Sequence, residues 1–320
     1  MKGIQKVRIF NKKIKYDFEL SRNITVIRGD SGTGKTSLYD MIAEYTRLGK
    51  ESGVNIECKK NCVALTDTNW ESQLKGFKNS IVFIDEGFKE INSPKFAKLI
   101  KNSDNYYVIF NRENLYELPY SVEEIYQIKT SGKLHTLKKI YSHNRKYIYS
   151  GNNNSISGIK VLLTEDSKAG FQLYNDYFKD TGIECIPAES NSNIFSKLKE
   201  FEGEHLFVIA DGAAFGSEMG NVMKLCDEGK GLITLCLPES FEWLILKSGI
   251  ITEDGIEDIL NNPSNYIDGM LYFSWEQFFT AYLKNITKDK IYKYSKSRLG
   301  KYYKTKVNEE KILSLIMQIK

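Results

Sequence analysis

Short runs of consecutive apolar residues recur along the chain, and the segments between them repeat their apolar positions with helical spacing. Such runs predict strands that are buried on both faces of a parallel sheet. The predicted strands are Ile24–Ile27, Ile81–Ile84, Tyr106–Phe110, Ile159–Thr164, Ile183–Ile186, Leu206–Ala210 and Leu232–Cys236. The predicted helices between them are Ser37–Arg47, Ser93–Lys101, Ala169–Phe178 and Ile194–Phe201. Strands that alternate with helices predict an α/β fold.

Three further segments have the pattern of β-hairpins, in which two short strands flank a polar turn. They are Lys6–Leu20, Val54–Ile56 with Val63–Leu65, and Glu123–Ile128 with Lys133–Ile140. The turn of the second hairpin carries Cys58 and Cys62. This C-x-x-x-C pair has the spacing of half a zinc site, but no second pair of Cys or His residues lies nearby, which favours ordinary thiols.

A polar segment rich in Asn, Ser and Gly, Ser150–Gly158, is the best candidate for a linker. The pattern of strand and helix starts again directly after it. The sequence therefore predicts two domains, residues 1–149 and residues 158–320. The second of them ends in a basic region that we expect to be helical.

The composition is that of a globular protein with a substantial core, since 41% of the 320 residues are hydrophobic and 27% are charged. Five cysteines, an odd and low number, favour reduced thiols in a cytoplasmic protein. The first residues contain no apolar stretch typical of a signal peptide, and no run of about 18 apolar residues occurs. We therefore expect no membrane span.

The net charge of +4 conceals an uneven distribution. Segment Lys284–Lys306 carries nine Lys or Arg residues and one acid, a balance of +8, which leaves about −4 for the rest of the chain. Four tyrosines lie among these cations, namely Tyr292, Tyr294, Tyr302 and Tyr303. Cations interleaved with aromatic rings suit a nucleic-acid backbone with stacked bases, whereas the alternative is a solvated helical face with half-buried tyrosines. Segment Lys129–Lys146, with six cations and no acid, is a second candidate for phosphate contacts.

A phosphate-binding motif lies between the strand Ile24–Ile27 and the helix that follows it. Residues Gly29–Thr36 match G-x-x-x-x-G-K-[ST] at every fixed position. In this motif the backbone N–H groups surround the phosphates, Lys35 reaches the β- and γ-phosphates and the Thr36 hydroxyl ligates Mg²⁺. The residues predicted to bind the nucleotide here are Gly29, Asp30, Ser31, Gly32, Thr33, Gly34, Lys35, Thr36 and Ser37.

Polar residues at the ends of two other strands complete this predicted ATP site. Asp85 and Glu86 follow the strand Ile81–Ile84, at the edge where parallel sheets bind ligands. Asp85 is predicted to hold the magnesium shell, and Glu86 to polarise the attacking water. Asn111 and Arg112 end the strand Tyr106–Phe110, where they are either a γ-phosphate sensor and a neutralising charge or a capping Asn and a surface Arg.

On these motifs, residues 1–145 resemble the ATPase head of ABC-type proteins. Only about fifty residues separate the two motifs, so the helical insertion of the large ATPases is missing, and no L-S-G-G-Q signature occurs. The resemblance implies a P-loop NTPase domain with a mainly parallel sheet, which binds and hydrolyses ATP with Mg²⁺.

Acidic residues also end two predicted strands of the second domain, Glu165 after the first and Asp211 after the third. In a parallel sheet they meet at one edge, where a divalent cation is held. Residues 158–250 resemble a Toprim domain, a Rossmann-like module with Glu after its first strand and D-x-D after its third. The resemblance to the Toprim domains of OLD-family nucleases implies a further acid, matched by Glu239 or Glu242, so that Glu165, Asp211 and Glu239 form the metal site for Mg²⁺ or Mn²⁺. Ala213 stands where the family has the second D-x-D acid.

An ATPase module followed by a Toprim module is the order found in OLD-family and Gabija-type nucleases. The resemblance implies an ATP-dependent, metal-dependent nuclease of anti-phage defence, active as a homo-oligomer or with a partner protein. Its catalytic residues are then Lys35, Glu86, Glu165 and Asp211. The alternative is an ATP-dependent switch or assembly subunit whose second domain binds partners or nucleic acid without cleavage, which the absence of the second D-x-D acid favours. A nucleotide kinase is disfavoured, because Asp85 and Glu86 suit water as the acceptor and no arginine-rich lid occurs.

Overall fold

The structure, a computed structural model, describes residues 1–30, 32–141, 146–149, 158–229 and 232–317. The predicted linker residues 150–157, Ser31 of the phosphate-binding motif, and residues 142–145 of the second basic segment lie outside the described residues. The chain divides into two compact units. The first contains Met1–Ser142 and Asn262–Phe273, and the second contains His143–Asn261 and Ser274–Lys320.

Within the described residues, the first unit contains one sheet of nine strands in the order β4-β1-β2-β9-β8-β3-β7-β6-β5. The strands are β1 Gln5–Phe10, β2 Lys15–Leu20, β3 Ile24–Ile27, β4 Asn55–Glu57, β5 Asn61–Leu65, β6 Ser80–Ile84, β7 Tyr106–Phe110, β8 Ile125–Ser131 and β9 Leu134–Lys139. The helices are α1 Lys35–Leu48, α2 Trp70–Gly76, α3 Pro94–Lys101 and α9 Pro263–Tyr266. Five neighbouring pairs are parallel, and β1–β2, β1–β4 and β8–β9 are antiparallel. The prediction of an α/β fold with a mostly parallel sheet is confirmed.

The outer hairpin predictions are confirmed by β1–β2 and β8–β9, whereas the middle one is wrong. Strand β4 pairs with β1 and β5 pairs with β6, so the two strands form opposite edges of the sheet. Only Cys58–Lys60 connects them, and such a connection spans at most about 14 Å. In a flat sheet eight strand spacings would separate the edges by roughly 38 Å. The sheet must therefore curl until its two edges approach each other.

Helix α1 packs inside this curled sheet. One apolar core joins Leu38, Met41 and Ile42 of α1 to residues of both halves of the sheet, including Val7 in β1 and Phe83 in β6. Leu38 and Ile42 are completely buried. This burial fixes the helix, and with it the loop between β3 and α1, relative to the ends of β6 and β7.

The second unit contains a five-stranded sheet in the order β10-β14-β13-β11-β12, within the part of the chain that is described. The strands are β10 Lys146–Tyr149, β11 Val161–Thr164, β12 Glu184–Pro187, β13 His205–Ile209 and β14 Leu232–Cys236. The helices are α4 Ala169–Phe178, α5 Asn191–Glu200, α6 Gly216–Asp227, α7 Phe241–Lys247, α8 Ile256–Asn261, α10 Trp275–Thr287 and α11 Lys306–Met317. Strands β11 to β14 are parallel as predicted, and the antiparallel edge strand β10 belongs to this sheet, although the predicted boundary had placed it in the first domain.

The predicted basic region is helical only at its two ends, since residues 288–305 form turns between α10 and α11. Tyr294 and Tyr303 are buried, and the ring of Tyr302 packs against that of Tyr292 in a tilted arrangement with centroids 5.0 Å apart. These tyrosines therefore pack within the second unit. No helix in the described ranges combines the length and apolar character needed to cross a membrane.

A glycine between β13 and α6 allows two segments of backbone to touch. The N–H of Gly212 donates to the carbonyl of Pro238 at 2.6 Å, and a Cβ at this position would lie 2.5 Å from the carbonyl oxygen of Leu237. We expect Gly212→Ala to lower the free energy of unfolding by roughly 1–3 kcal/mol, as overpacking does. Gly76→Ala, whose added Cβ would meet no described atom within 4 Å, is the matched control and should change little. Urea unfolding measures both variants, and equal stability of the two would contradict the prediction.

Candidate functional site

The loop between β3 and α1 is wrapped around the ammonium group of Lys35. The Lys35 side chain is buried, and its Nζ donates to the carbonyl oxygen of Asp30 at 3.0 Å and to that of Gly29. Burial lowers the pKa of Lys35 from its ordinary value, and the nearby carboxylate of Glu86 opposes this shift. Two backbone carbonyl oxygens of the loop thus hold the ammonium group of the first residue of α1.

The N-terminus of α1 is open toward the same loop. Gly34 precedes the helix with φ of +94°, and a Cβ there would lie only 3.0 Å from the Tyr16 hydroxyl, so the position requires glycine. Among the described residues no side chain caps this helix. The N–H groups of its first turn, together with the positive end of the helix dipole, are therefore suited to bind an anion.

A cleft of about 410 Å³ opens over this loop. Its floor includes Gly32 to Ser37, and its other walls bring together residues from distant parts of the first unit. Those residues are Ile14, Tyr16, Asp30, Glu86, Arg112, Thr130 and His135. A volume of this size accommodates a small-molecule ligand.

Tyr16 and His135 form a wall of this cleft that the sequence analysis did not identify. They lie opposite each other on the parallel strands β2 and β9, and their rings stack with centroids 4.7 Å apart. The Tyr16 hydroxyl donates to the Gly34 carbonyl at 2.8 Å, and His135 is hydrogen-bonded to the Thr130 hydroxyl. No local sequence signal identifies the pair, because the two residues are brought together only by the pairing of strands 119 positions apart.

Glu86 and Arg112 face the cleft as an ion pair, with Arg112 Nε 2.7 Å from Glu86 Oε1. They come from the ends of the neighbouring parallel strands β6 and β7. Asp85 is half-buried, and its Oδ2 accepts from the Gly87 N–H at 3.3 Å. Asn111 is buried, and its Oδ1 accepts from the Glu113 N–H at 2.9 Å, which forms an Asx turn at the end of β7. Neither Asp85 nor Asn111 is among the described residues that line the cleft.

In the second unit, Glu165 and Asp211 meet at the carboxyl ends of the neighbouring strands β11 and β13. Glu165 Oε2 accepts from the Asp211 N–H at 2.8 Å, and Asp211 Oδ1 accepts from the Phe241 N–H at 3.2 Å. Burial raises the pKa of Glu165 to about 8. Burial, and next the charge of Glu165, raise the pKa of Asp211 well above its usual range. A small cleft of about 30 Å³, lined by both residues, is large enough for a water molecule or a single ion.

A half-buried lysine supplies positive charge to this acid pair. Lys296 Nζ lies 2.6 Å from Glu276 Oε1, and the Lys296 side chain is only 24% exposed. Its charge acts on Asp211, Glu165 and Glu242 as well as on Glu276. Lys296 belongs by sequence to the basic segment Lys284–Lys306, but the fold turns it inward among carboxylates.

Glu242 on α7 also belongs to this group of charges. Its side chain is completely buried, and Oε1 accepts from the Tyr294 hydroxyl at 2.8 Å. Oε2 has no hydrogen-bond partner among the described residues. Glu239, the predicted third ligand, is buried but is not one of the described residues lining the small cleft. Among the described residues, no group of three or more His, Cys, Asp and Glu side chains is arranged to hold a metal ion.

Comparison with protein-family models and with curated proteins finds no match for this sequence. The candidate function therefore depends on the two groups of residues that the fold assembles. One is the cleft around Lys35, Glu86 and Arg112 in the first unit. The other is the acid pair Glu165 and Asp211, with Lys296 as its counter-charge, in the second.

Lys296 should contribute strongly to stability, because without it several buried carboxylates lose their counter-charge. We expect Lys296→Met to lower the free energy of unfolding by about 2–3 kcal/mol, somewhat less than the loss of a fully buried ion-pair partner. Lys304→Met is the matched control, since Lys304 lies 2.7 Å from the half-exposed Asp176 and should cost less than about 1 kcal/mol. Urea unfolding at neutral pH in EDTA compares the two. Equal losses would show that Lys296 is an ordinary surface charge.

Proposed function

We propose that the first unit binds and hydrolyses ATP, and that the second is a divergent Toprim-type nuclease that requires a divalent cation. The chain would then act as a compact relative of OLD-family and Gabija-type nucleases in anti-phage defence. The observation that carries the proposal is that Lys35, Glu86 and Arg112 line one cleft at the open N-terminus of α1. The convergence of Glu165 and Asp211 at one sheet edge supports the second activity.

The proposed roles in the first unit follow from position. The β- and γ-phosphates lie along the loop Gly29–Thr36, with Lys35 neutralising their charge and the first turn of α1 donating N–H groups. Thr36 and Asp85 are the residues that would hold the Mg²⁺ that accompanies ATP. The stacked rings of Tyr16 and His135 form the wall next to Gly34.

The ion pair between Glu86 and Arg112 suggests how hydrolysis is kept dependent on the nucleotide. While Arg112 is paired with Glu86 at 2.7 Å, the guanidinium occupies the carboxylate oxygen Oε1, which is then not available to a water molecule. A γ-phosphate in the cleft offers Arg112 a stronger partner. Glu86 is then free to act as the general base toward water.

The acid pair of the second unit fits a single divalent cation. Two buried carboxylates with raised pKa values repel each other when ionised, and a cation between them relieves that repulsion. Glu165 and Asp211 would hold the ion, with Glu242 close enough to contribute charge. Bound Mg²⁺ or Mn²⁺ would activate water and neutralise charge on a phosphodiester. Lys296 supplies positive charge at the same place without a metal.

Exposed cations of the basic segment are proposed to contact the nucleic-acid backbone. Lys293, Arg298 and Lys301 are exposed, whereas Lys296 is turned inward and the buried tyrosines are not available for base stacking. Backbone contacts of this kind give binding that weakens with salt and depends little on sequence. We also propose a cytoplasmic location and assembly with a second copy or a partner protein.

A second candidate function is an ATP-dependent switch whose second unit binds nucleic acid or a partner without cutting it. Two observations favour it. Ala213 replaces an acid of the Toprim pattern, and Lys296 already neutralises part of the acid cluster. Both candidate functions include the ATP site, so only a test for cleavage of nucleic acid distinguishes them.

The ATP site is tested by Lys35→Ala. Removing the ammonium should weaken ATP binding at least tenfold, which corresponds to about 1.4 kcal/mol. Isothermal titration calorimetry measures the affinity, and Lys78→Ala, a change at an exposed lysine of the same unit, is the control. Because Lys35 also donates to loop carbonyls, thermal unfolding of the variant must be measured in parallel. Unchanged ATP affinity in a folded variant would exclude the assignment.

The nuclease is tested by Asp211→Asn. An amide oxygen can still accept from the Phe241 N–H, so the fold should persist, while metal binding and metal-dependent cleavage of DNA or RNA should be lost. ATP hydrolysis should stay within about twofold of wild type, since Asp211 and the proposed ATP site belong to different compact units. Asp176→Asn, at an exposed ion pair, is the control. If the wild-type protein hydrolyses ATP but cleaves no nucleic acid with Mg²⁺ or Mn²⁺, the switch is the better description.

A further inference from the structure

Two cysteines lie where the edges of the curled sheet of the first unit come together. Cys58 follows the edge strand β4, and Cys62 is the second residue of the opposite edge strand β5. Both line a cleft of about 290 Å³, together with Tyr45 and Thr46 of α1 and with Lys60. The cleft makes this pair of thiols accessible to a small reagent, although Cys62 itself is only 5% exposed.

The turn holds the two sulfur atoms in different environments. The Lys60 N–H donates to Cys58 Sγ at 3.4 Å, and Lys60 lies in the short connection between β4 and β5 that carries Cys58. Cys62 Sγ lies 3.9 Å from the Lys60 carbonyl oxygen, which accepts its proton. Cys58 thus accepts from a backbone N–H, as a thiolate can, whereas Cys62 donates to a backbone carbonyl, as a protonated thiol does.

The electrostatics follow this geometry. The neighbouring Cys62 thiol, the backbone N–H groups of Lys60 and Lys59 and the charge of Lys60 lower the pKa of Cys58 to about 6, against the effect of burial. The pKa of Cys62 is raised, first by its hydrogen bond with Cys58 and then by burial. Burial raises the pKa of both Cys185 and Cys226 to about 11. Among these four cysteines, Cys58 is thus the thiol with nucleophilic character, and it lies next to a second thiol able to react with its oxidised form.

We propose that Cys58 and Cys62 are a redox site that reacts with hydroperoxides and closes into a reversible disulfide. The Cys58 thiolate attacks the O–O bond, so that an S–O bond forms and the O–O bond breaks. The departing oxygen takes a proton and leaves as an alcohol, or as water from hydrogen peroxide. Cys62 sulfur then attacks the sulfenic acid of Cys58, the S–S bond forms, and the S–O bond breaks with release of water. Two thiols are oxidised and one hydroperoxide is reduced.

The bridge would connect strands β4 and β5, and so tie together the two edges of the sheet that encloses α1. Thr46 of α1 already contacts the edge strand β5, since its hydroxyl accepts from the Ala64 N–H at 3.1 Å. Oxidation should therefore restrict the movement of the two edge strands relative to each other, and with it the movement of the sheet around α1. The inference does not depend on the proposed ATPase or nuclease activity.

The first experiment measures alkylation of the reduced full-length protein by iodoacetamide in EDTA, with mass spectrometry of each cysteine peptide. At pH 7 Cys58 should react at least about tenfold faster than Cys226, which is also half-buried. Its rate should level off above its pKa of about 6, while the rate of Cys226 should still rise beyond pH 9. Equal rates, or a Cys58 rate that also rises beyond pH 9, would overturn the proposal.

The second experiment treats the protein with hydrogen peroxide and maps its peptides without reduction. We expect a peptide linked through Cys58 and Cys62 that dithiothreitol separates again. In Cys62→Ser the sulfenic acid on Cys58 should persist and be trapped by dimedone. Cys226→Ser should behave as wild type. Absence of the linked peptide in wild type, together with absence of a dimedone adduct in Cys62→Ser, would refute the redox site.

Discussion

The burial of helix α1 inside a strongly curled sheet is the constraint on which the first unit depends. Leu38, Met41 and Ile42 contact apolar residues from both halves of the sheet, so the helix cannot shift without opening the core. The helix begins at Lys35, directly after the loop that wraps its ammonium group. Packing far from the cleft therefore positions the N–H groups and the cation that face it. The same curl brings the edge strands β4 and β5 close to each other, and with them Cys58 and Cys62.

The second unit depends on a balance of charge between a pair of acids and a lysine. Parallel neighbours β11 and β13 bring Glu165 and Asp211 together, and burial makes their ionised forms costly. Lys296, which reaches this place from a segment more than eighty residues further along the chain, offsets part of that cost. An acid cluster that is neutralised from within needs less charge from a bound ion. This explains why the same side chains are compatible with both a metal-dependent enzyme and a binding module.

Both candidate sites follow one rule of open parallel sheets, in which side chains at the carboxyl ends of neighbouring strands converge. Glu86 and Arg112 converge in this way in the first unit, as do Glu165 and Asp211 in the second. The rule allowed these residues to be identified from apolar runs alone. The rule does not give the direction of each side chain. Asn111 and Asp85 lie at the same strand ends, but their side chains accept hydrogen bonds from their own backbone neighbours.

The sequence by itself determined the α/β class, the buried strands, the loop before α1 and the acids at strand ends, because these depend on local patterns of a few residues. Strand pairing depended on the tertiary structure. Val54–Ile56 and Val63–Leu65 look like a hairpin, yet β4 pairs with β1 and β5 pairs with β6, so that they form opposite edges of the sheet. Tyr16 with His135, and Lys296 with Glu276, meet across long stretches of chain, so no local pattern records their contact. Only the fold could show that Lys296, one lysine of a basic segment, is an internal counter-charge. Only the fold could show that Cys58 and Cys62 lie where the two edges of the sheet meet.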